Sequence, residues 1–177
     1  VHPMSYRKIL VALDQSSQAE AILKQAIAIA KPHQAKLILF HALMFDGRNL
    51  DAYSGIYGQN VLSLSSSVQE HIEAQTQEVE NWLKTCAQTV QEEGLEVEYS
   101  WRIGDPSSWI REMAKTSDAD LVILGRRGRR GLAEVFLGSV SNHVVHYAPC
   151  SVLVVQGKDV AAAPESSIVT IERKHNC

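Results

Sequence analysis

Leu121-Val122-Ile123-Leu124-Gly125-Arg126-Arg127-Gly128-Arg129-Arg130-Gly131, followed after a gap by Gly138-Ser139-Val140-Ser141, is the stretch whose reading decides the fold. Its first four residues form an apolar, β-branched run that stops at a glycine, as a buried parallel strand does on reaching its loop. Ser139 suits an N-cap, and Val140, Val144 and Val145 recur at helical spacing, so a helix is expected to open there. It should stop by Ala148, because Pro149 disfavours a helical residue before it. Ser151-Val152-Leu153-Val154-Val155 then reads as the next strand.

The loop between strand and helix suggests a chemistry. Glycine lets backbone N–H groups approach a ligand with no Cβ in the way. A helix N-terminus just beyond has unpaired donors and a partial positive charge, so strand, glycines, hydroxyl and helix in that order make an anion cradle, most naturally for phosphate. The competing reading is a surface loop with permissive glycines and solvated arginines.

Upstream, the same alternation repeats. Lys8-Ile9-Leu10-Val11-Ala12-Leu13 reads as a central parallel strand ending in Asp14. Ser17 and Glu20 have capping-box spacing ahead of a helix carrying Ile22, Leu23, Ala26, Ile27 and Ala30, which Lys31-Pro32 is expected to close. Lys36 to Ala42 is a second buried strand, joined to the first by a right-handed crossover. From Leu43 to about Leu64 the pattern fails, and two readings stand: a lid over a ligand, or an idle insertion.

Ser65 to Glu93 follows as a long amphipathic helix with Val68, Ile72, Val79, Leu83, Cys86 and Val90 on one stripe, stopped by Gly94-Leu95 in a Schellman turn. Leu95 to Ile103 alternates as a strand. Asp105 and Pro106 then supply the cap and first position of a helix bearing Trp109, Ile110, Met113 and Ala114. The whole reads as α/β: a single doubly wound domain over residues 5–156 with a five-stranded parallel sheet and helices on both faces. Residues 157–177 read as a C-terminal tail, disordered or adding a short strand from Ser167 to Glu172.

Composition narrows the class. A chain of 177 residues, 45% hydrophobic and 21% charged, is long enough for one sizeable core and has the balance of a soluble globular protein. A formal net charge of -3 makes the loop arginines a local patch in an acidic protein and nucleic acid an unlikely partner. No apolar run is long enough to span a bilayer, and the N-terminus lacks the core of a signal peptide; Val1-His2-Pro3 precede Met4, the expected natural start. Cys86, Cys150 and Cys177 are scattered without CxxC spacing, which fits reduced thiols in a cytoplasm.

Two phosphate motifs are absent: there is no GxxxxGK[ST], and no GxGxxG follows the first strand. What remains is an aspartate at one strand end and the glycine loop at another. Asp14 can accept from ribose hydroxyls or an adenine amino group, or can simply start a helix. His143 and His146 share a helix face and His41 ends a strand, but no third ligand stands at a telling spacing, so no metal site and no catalytic residue are assigned.

Gly125-x-x-Gly128, nine intervening residues and Gly138-Ser139 resemble the nucleotide-binding signature of the ATP-binding branch of the universal stress protein family. The likeness extends to the opening strand and Asp14, spanning about Ser5 to Gln156. It implies strand order 3-2-1-4-5 and a homodimer formed through the last strand. It also implies a set of nucleotide contacts: Ala12, Leu13 and Asp14 along the adenosine, Ala42 at the base, Leu124 and Gly125 by base and ribose, and Gly128, Gly138, Ser139, Val140 and Ser141 at the phosphates. Arg127, Arg129 and Arg130 lie outside the fixed pattern, and two readings stand for them: charges that steer or grip polyphosphate, or solvated loop arginines. The expected ligand is ATP or AMP, with Mg2+ accompanying the phosphates. The expected role is an adenine-nucleotide-dependent signalling module in a stress response, its protein partner unknown; the alternative is a weak Mg-dependent ATPase or nucleotide-processing enzyme.

Overall fold

The computed structural model of the chain describes residues 5–44, 66–126 and 137–156, with side chains of the long helix described from residue 69. The segment from 45 to 64, the Val68 side chain, Arg127 to Gly131, and the Ser167–Glu172 strand lie outside the described residues.

Among the described residues five strands and four helices alternate: β1 (Lys8–Ala12), α1 (Ala19–His33), β2 (Lys36–Leu43), α2 (Ser66–Glu92), β3 (Val97–Ile103), α3 (Pro106–Thr116), β4 (Leu121–Gly125), α4 (Ser139–Tyr147) and β5 (Ser151–Val155). All pairings are parallel and the order is β3-β2-β1-β4-β5. That is the expected α/β fold and order. The inner strands are apolar on both sides because each side meets helices. Ile9, Val11, Leu37, Leu39, Leu121 and Ile123 pack with α1 and α2; Leu10, Ile38, Phe40, Val122 and Leu124 pack with Ile110 and Ala114 of α3 and Val144 of α4.

Helix ends show where local chemistry decided the boundaries. Asp105 caps α3 as expected, its carboxylate accepting from the Ser108 N–H at 2.8 Å. Gly94, at φ +76°, and the bond from the Leu95 N–H to the Val90 carbonyl complete the Schellman turn after α2. The capping box at Ser17 does not form. A turn bonded from the Ala19 N–H to the Ser16 carbonyl leads into α1, leaving Gln18 at the cap position with helical φ and ψ and no side-chain cap. Pro32 does not close α1 either. It sits in the last turn, and the stop comes at Gln34, left-handed at φ 49°, with the Ala35 N–H reaching the Ala30 carbonyl.

Two further expectations about α4 are corrected. Its N-cap is Gly138, not Ser139, which is the first helical residue. Val145 is 45% exposed, so the buried stripe of this short helix is Ser141 and Val144, with Val140 half-buried. Cys86 is half-buried on the α2 stripe, and burial pushes its thiol up, away from the reactive thiolate.

Candidate functional site

The strand order turns back between β1 and β4. Crossovers through α1 and α2 run to one side of that boundary and those through α3 and α4 to the other, which puts the two helix pairs on opposite faces. Open α/β sheets bind ligands beyond the carboxyl ends of the strands at such a point, here the ends of β1 and β4.

On one side stands Asp14. Ala12, in register with Phe40 and Leu124, is the last residue of β1; Leu13 continues the ladder by one bond, its N–H donating to the Phe40 carbonyl at 2.9 Å. Asp14 follows, half-buried, with its Oδ1 accepting from the Ser16 hydroxyl at 2.5 Å. The Gln18 N–H reaches the same hydroxyl at 3.3 Å, so Ser16 serves both the carboxylate and the turn into α1. Ala42 lies near the end of β2 on the face shared with Phe40.

Opposite stands the start of α4, held to the end of β4 by a small network. The Arg126 N–H donates to the Val155 carbonyl at 2.9 Å, and the Gly138 N–H to the Arg126 carbonyl at 2.9 Å. Ser141, only 3% exposed, donates its hydroxyl to the Gly125 carbonyl at 2.6 Å and lies 3.2 Å from that of Arg126. The first helical bond runs from the Asn142 N–H to the Gly138 carbonyl, and the cap residue is a glycine with no side chain to give. The backbone N–H groups of Ser139, Val140 and Ser141 thus lie in its positive first turn, ahead of the helical ladder.

Of the sequence-predicted residues, Ala12, Leu13, Asp14, Leu124, Gly125, Gly138, Ser139, Val140 and Ser141 come together at this boundary, and Ala42 lies beyond Phe40 on the neighbouring strand. Arg127 and Gly128 lie outside the described residues. The Ser141 hydroxyl is committed to the carbonyls of Gly125 and Arg126. Sequence reasoning treated His41 only as a doubtful metal ligand. The residue is buried beside the site, its Nδ1 2.8 Å from the Leu13 carbonyl.

The other histidines lead elsewhere. His146 Nδ1 pairs with the Asn142 carbonyl at 2.7 Å, and the His143 ring lies against Tyr147 with centroids 4.7 Å apart. His143 also acts on Asp105. Burial opposes that carboxylate's charge, but the Ser108 N–H, the Ser107 and Ser108 hydroxyls and His143 outweigh it and hold the carboxyl below its usual range.

A groove of about 980 Å³ lies at the far, amino end of the sheet, lined by Arg7, Lys8, Lys36, Glu96 and Asp120 among others. Its main charges are engaged: Asp120 accepts from the Arg7 and Lys8 amides, Lys8 Nζ from the stem of β1 reaches the Ser117 carbonyl, and Lys36 pairs with Glu96 and Glu98. No helix among the described residues is long and apolar enough to cross a membrane.

A sequence model described as the universal stress protein family matches residues 5–156. The chain is 48% identical over 153 residues to universal stress protein Sll1388 of Synechocystis, covering 86% of this chain and 99% of that protein. Among solved structures, universal stress protein UspA of Lactobacillus plantarum superposes with a TM-score of 0.70 at 26% identity, covering 86% of this chain and 99% of that one. A universal stress protein of Archaeoglobus fulgidus in complex with dAMP superposes at 0.55 with 24% identity, covering 85% and 98%.

Proposed function

The chain belongs to the universal stress protein family, and on that premise we propose that it binds an adenine nucleotide, ATP or AMP, beyond the carboxyl ends of β1 and β4 and signals its occupancy to a partner. One observation carries the reading. The glycine-led start of α4 stands across the strand-order boundary from the pre-oriented Asp14 carboxylate, so one side offers donors to an anion and the other an acceptor to hydroxyl or amino groups. The dAMP complex is that of a relative with the same fold and adds support.

In this reading Ser139, Val140 and Ser141 present backbone amides to the phosphates, with Gly128, Gly138 and Arg127 completing the cradle. Asp14 takes the ribose or the adenine amino group. Ala12, Leu13, Ala42, Leu124 and Gly125 shape the nucleoside wall, their small side chains and backbone allowing close approach. Mg2+ enters only with the phosphates.

A homodimer through β5 belongs to the same proposal. β5 is an edge strand whose residues Val152 to Val155 are half-buried, and Tyr147, four residues before it, is 60% exposed. Edges of this kind are usually covered or paired.

Native mass spectrometry of the purified protein, with released nucleotide identified after denaturation, tests the binding. ATP, ADP or AMP carried through purification is the expected result; a protein that is empty and takes up no added ATP overturns the reading. Single-turnover phosphate release separates a binding module from a slow ATPase.

A further inference from the structure

We propose that His41 is a positioning residue for the nucleoside half of the site, its Nδ1–H fixing the end of β1 on which the Asp14 carboxylate stands. The inference rests on the adenine-nucleotide reading and adds to it a residue that does not touch ligand.

His41 lies on β2, on the face shared by Leu37, Leu39 and Leu43, where its neighbours belong to the main hydrophobic cluster. It is 3% exposed, and burying an imidazole among aliphatic side chains is costly unless its polar atoms are bonded. The Leu13 carbonyl lies 2.8 Å from Nδ1. A carbonyl oxygen only accepts, so Nδ1 carries the proton and donates it.

The placement of that bond gives it a role. β1 ends at Ala12, and Leu13 is held past the end of the sheet by two bonds to β2: its N–H to the Phe40 carbonyl at 2.9 Å, and its carbonyl to His41. The Leu13 carbonyl belongs to the same planar peptide unit as the Asp14 N–H and Cα, so fixing it fixes where the Asp14 side chain begins. The Ser16 hydroxyl fixes where it ends, at Oδ1. Trp82 of α2 meets the His41 ring edge-on, with centroids 5.5 Å apart and planes at 83°. Carboxylate, carbonyl, imidazole and indole thus form one chain of contacts from Asp14 to α2.

None of these contacts reaches the α4 amides, so the two halves of the site are expected to respond differently to loss of the imidazole. His41→Leu removes the donor while keeping an apolar filling, and His41→Gln keeps an N–H donor. Affinities for ATP, AMP and inorganic tripolyphosphate are measured by calorimetry, with unfolding followed in parallel. The expectation is that His41→Leu weakens AMP and ATP by about tenfold, the scale of one lost hydrogen bond, while tripolyphosphate stays within about twofold and His41→Gln recovers most of the loss. Equal losses for ATP and tripolyphosphate, or no loss for either, overturn the proposal.

Should His41→Leu fail to fold, nitrogen-detected NMR of the wild-type protein decides. An Nδ1–H tautomer whose resonance shifts on AMP saturation supports the proposal, and an Nε2–H tautomer or an unmoved resonance refutes it. A wild-type protein that binds tripolyphosphate but neither nucleotide defeats the adenine reading itself, a result distinct from any pattern among the variants.

Discussion

Replacing Ser141 with alanine removes a single oxygen from the protein interior. That oxygen makes the 2.6 Å bond to the Gly125 carbonyl and lies 3.2 Å from that of Arg126, at a residue 3% exposed. Alanine fits the same helical position, so the cost is the unpaired carbonyl and the lost bond, together about 1–3 kcal/mol. For a domain of this size that is a fall in Tm of roughly 3–10 °C. The loss is local as well as global, because the hydroxyl binds the first turn of α4 to the end of β4. Amide exchange should therefore quicken at Gly138 and Asn142, whose bonds define the helix start, through local opening, while Val11 and Ile38 in mid-sheet quicken only as far as the global loss carries them. Tripolyphosphate affinity should drop severalfold with the displaced amides. Thermal unfolding and amide exchange by NMR read both effects. A Tm within about 1 °C of wild type, with unaltered exchange at α4, would refute the idea that this hydroxyl holds the cradle in place.

Gly104→Ala should destabilise by about 2–5 kcal/mol, because φ is +134° there and a Cβ would meet the Trp109 indole nitrogen at 2.8 Å, disturbing its 3.0 Å bond to the Ile103 carbonyl. Gly94→Ala, at φ +76° with open space around it, should cost only about 1 kcal/mol by the same unfolding assay. Equal costs at the two sites would contradict the steric argument.

The depressed Asp105 carboxyl contributes stability that is complete above its unfolded value of about 3.9 and is lost as pH falls through its lower folded value. Asp105→Asn should flatten the acid limb of the unfolding profile below about pH 4; an unchanged limb would dismiss the linkage. The Val155 carbonyl faces β4, so alternation along the strand turns the Val154 N–H to the open edge. Val154→Pro should leave the fold standing and shift the light-scattering mass from dimer to monomer, whereas a persistent dimer would place the interface elsewhere.

Much of this architecture is written in the apolar runs. Ile9 to Val11, Leu37 to Phe40 and Leu121 to Leu124 are buried on both faces, the pattern of parallel strands covered by helices. Composition and periodicity did not supply the strand order, which is a long-range property; it came from the glycine spacing and the family it resembles. Helix starts were legible where one residue governs them, as at Asp105. They were misread where several options compete, as at Ser16, Ser17 and Gln18, because a turn settled the outcome that no single residue encodes.

The site shows the same division. Asp14 and Gly138 stand at strand and helix ends whatever their neighbours do. The commitment of Ser141 to carbonyls, and of His41 to Leu13, depends on chain segments meeting across 16 and 28 positions. A histidine at a strand end advertises metal or proton chemistry. Only its surroundings reveal a bracket.

The bond from Gly138 to Arg126 carries an evolutionary implication. Two residues twelve positions apart are pinned at 2.9 Å, so the chain between them begins and ends at one point whatever its length. Doubling such an excursion costs only about 0.6 kcal/mol in closure entropy. Selection is thus free to lengthen, shorten or recharge the arginine-bearing segment as an exchangeable cassette without renegotiating the packing of the sheet.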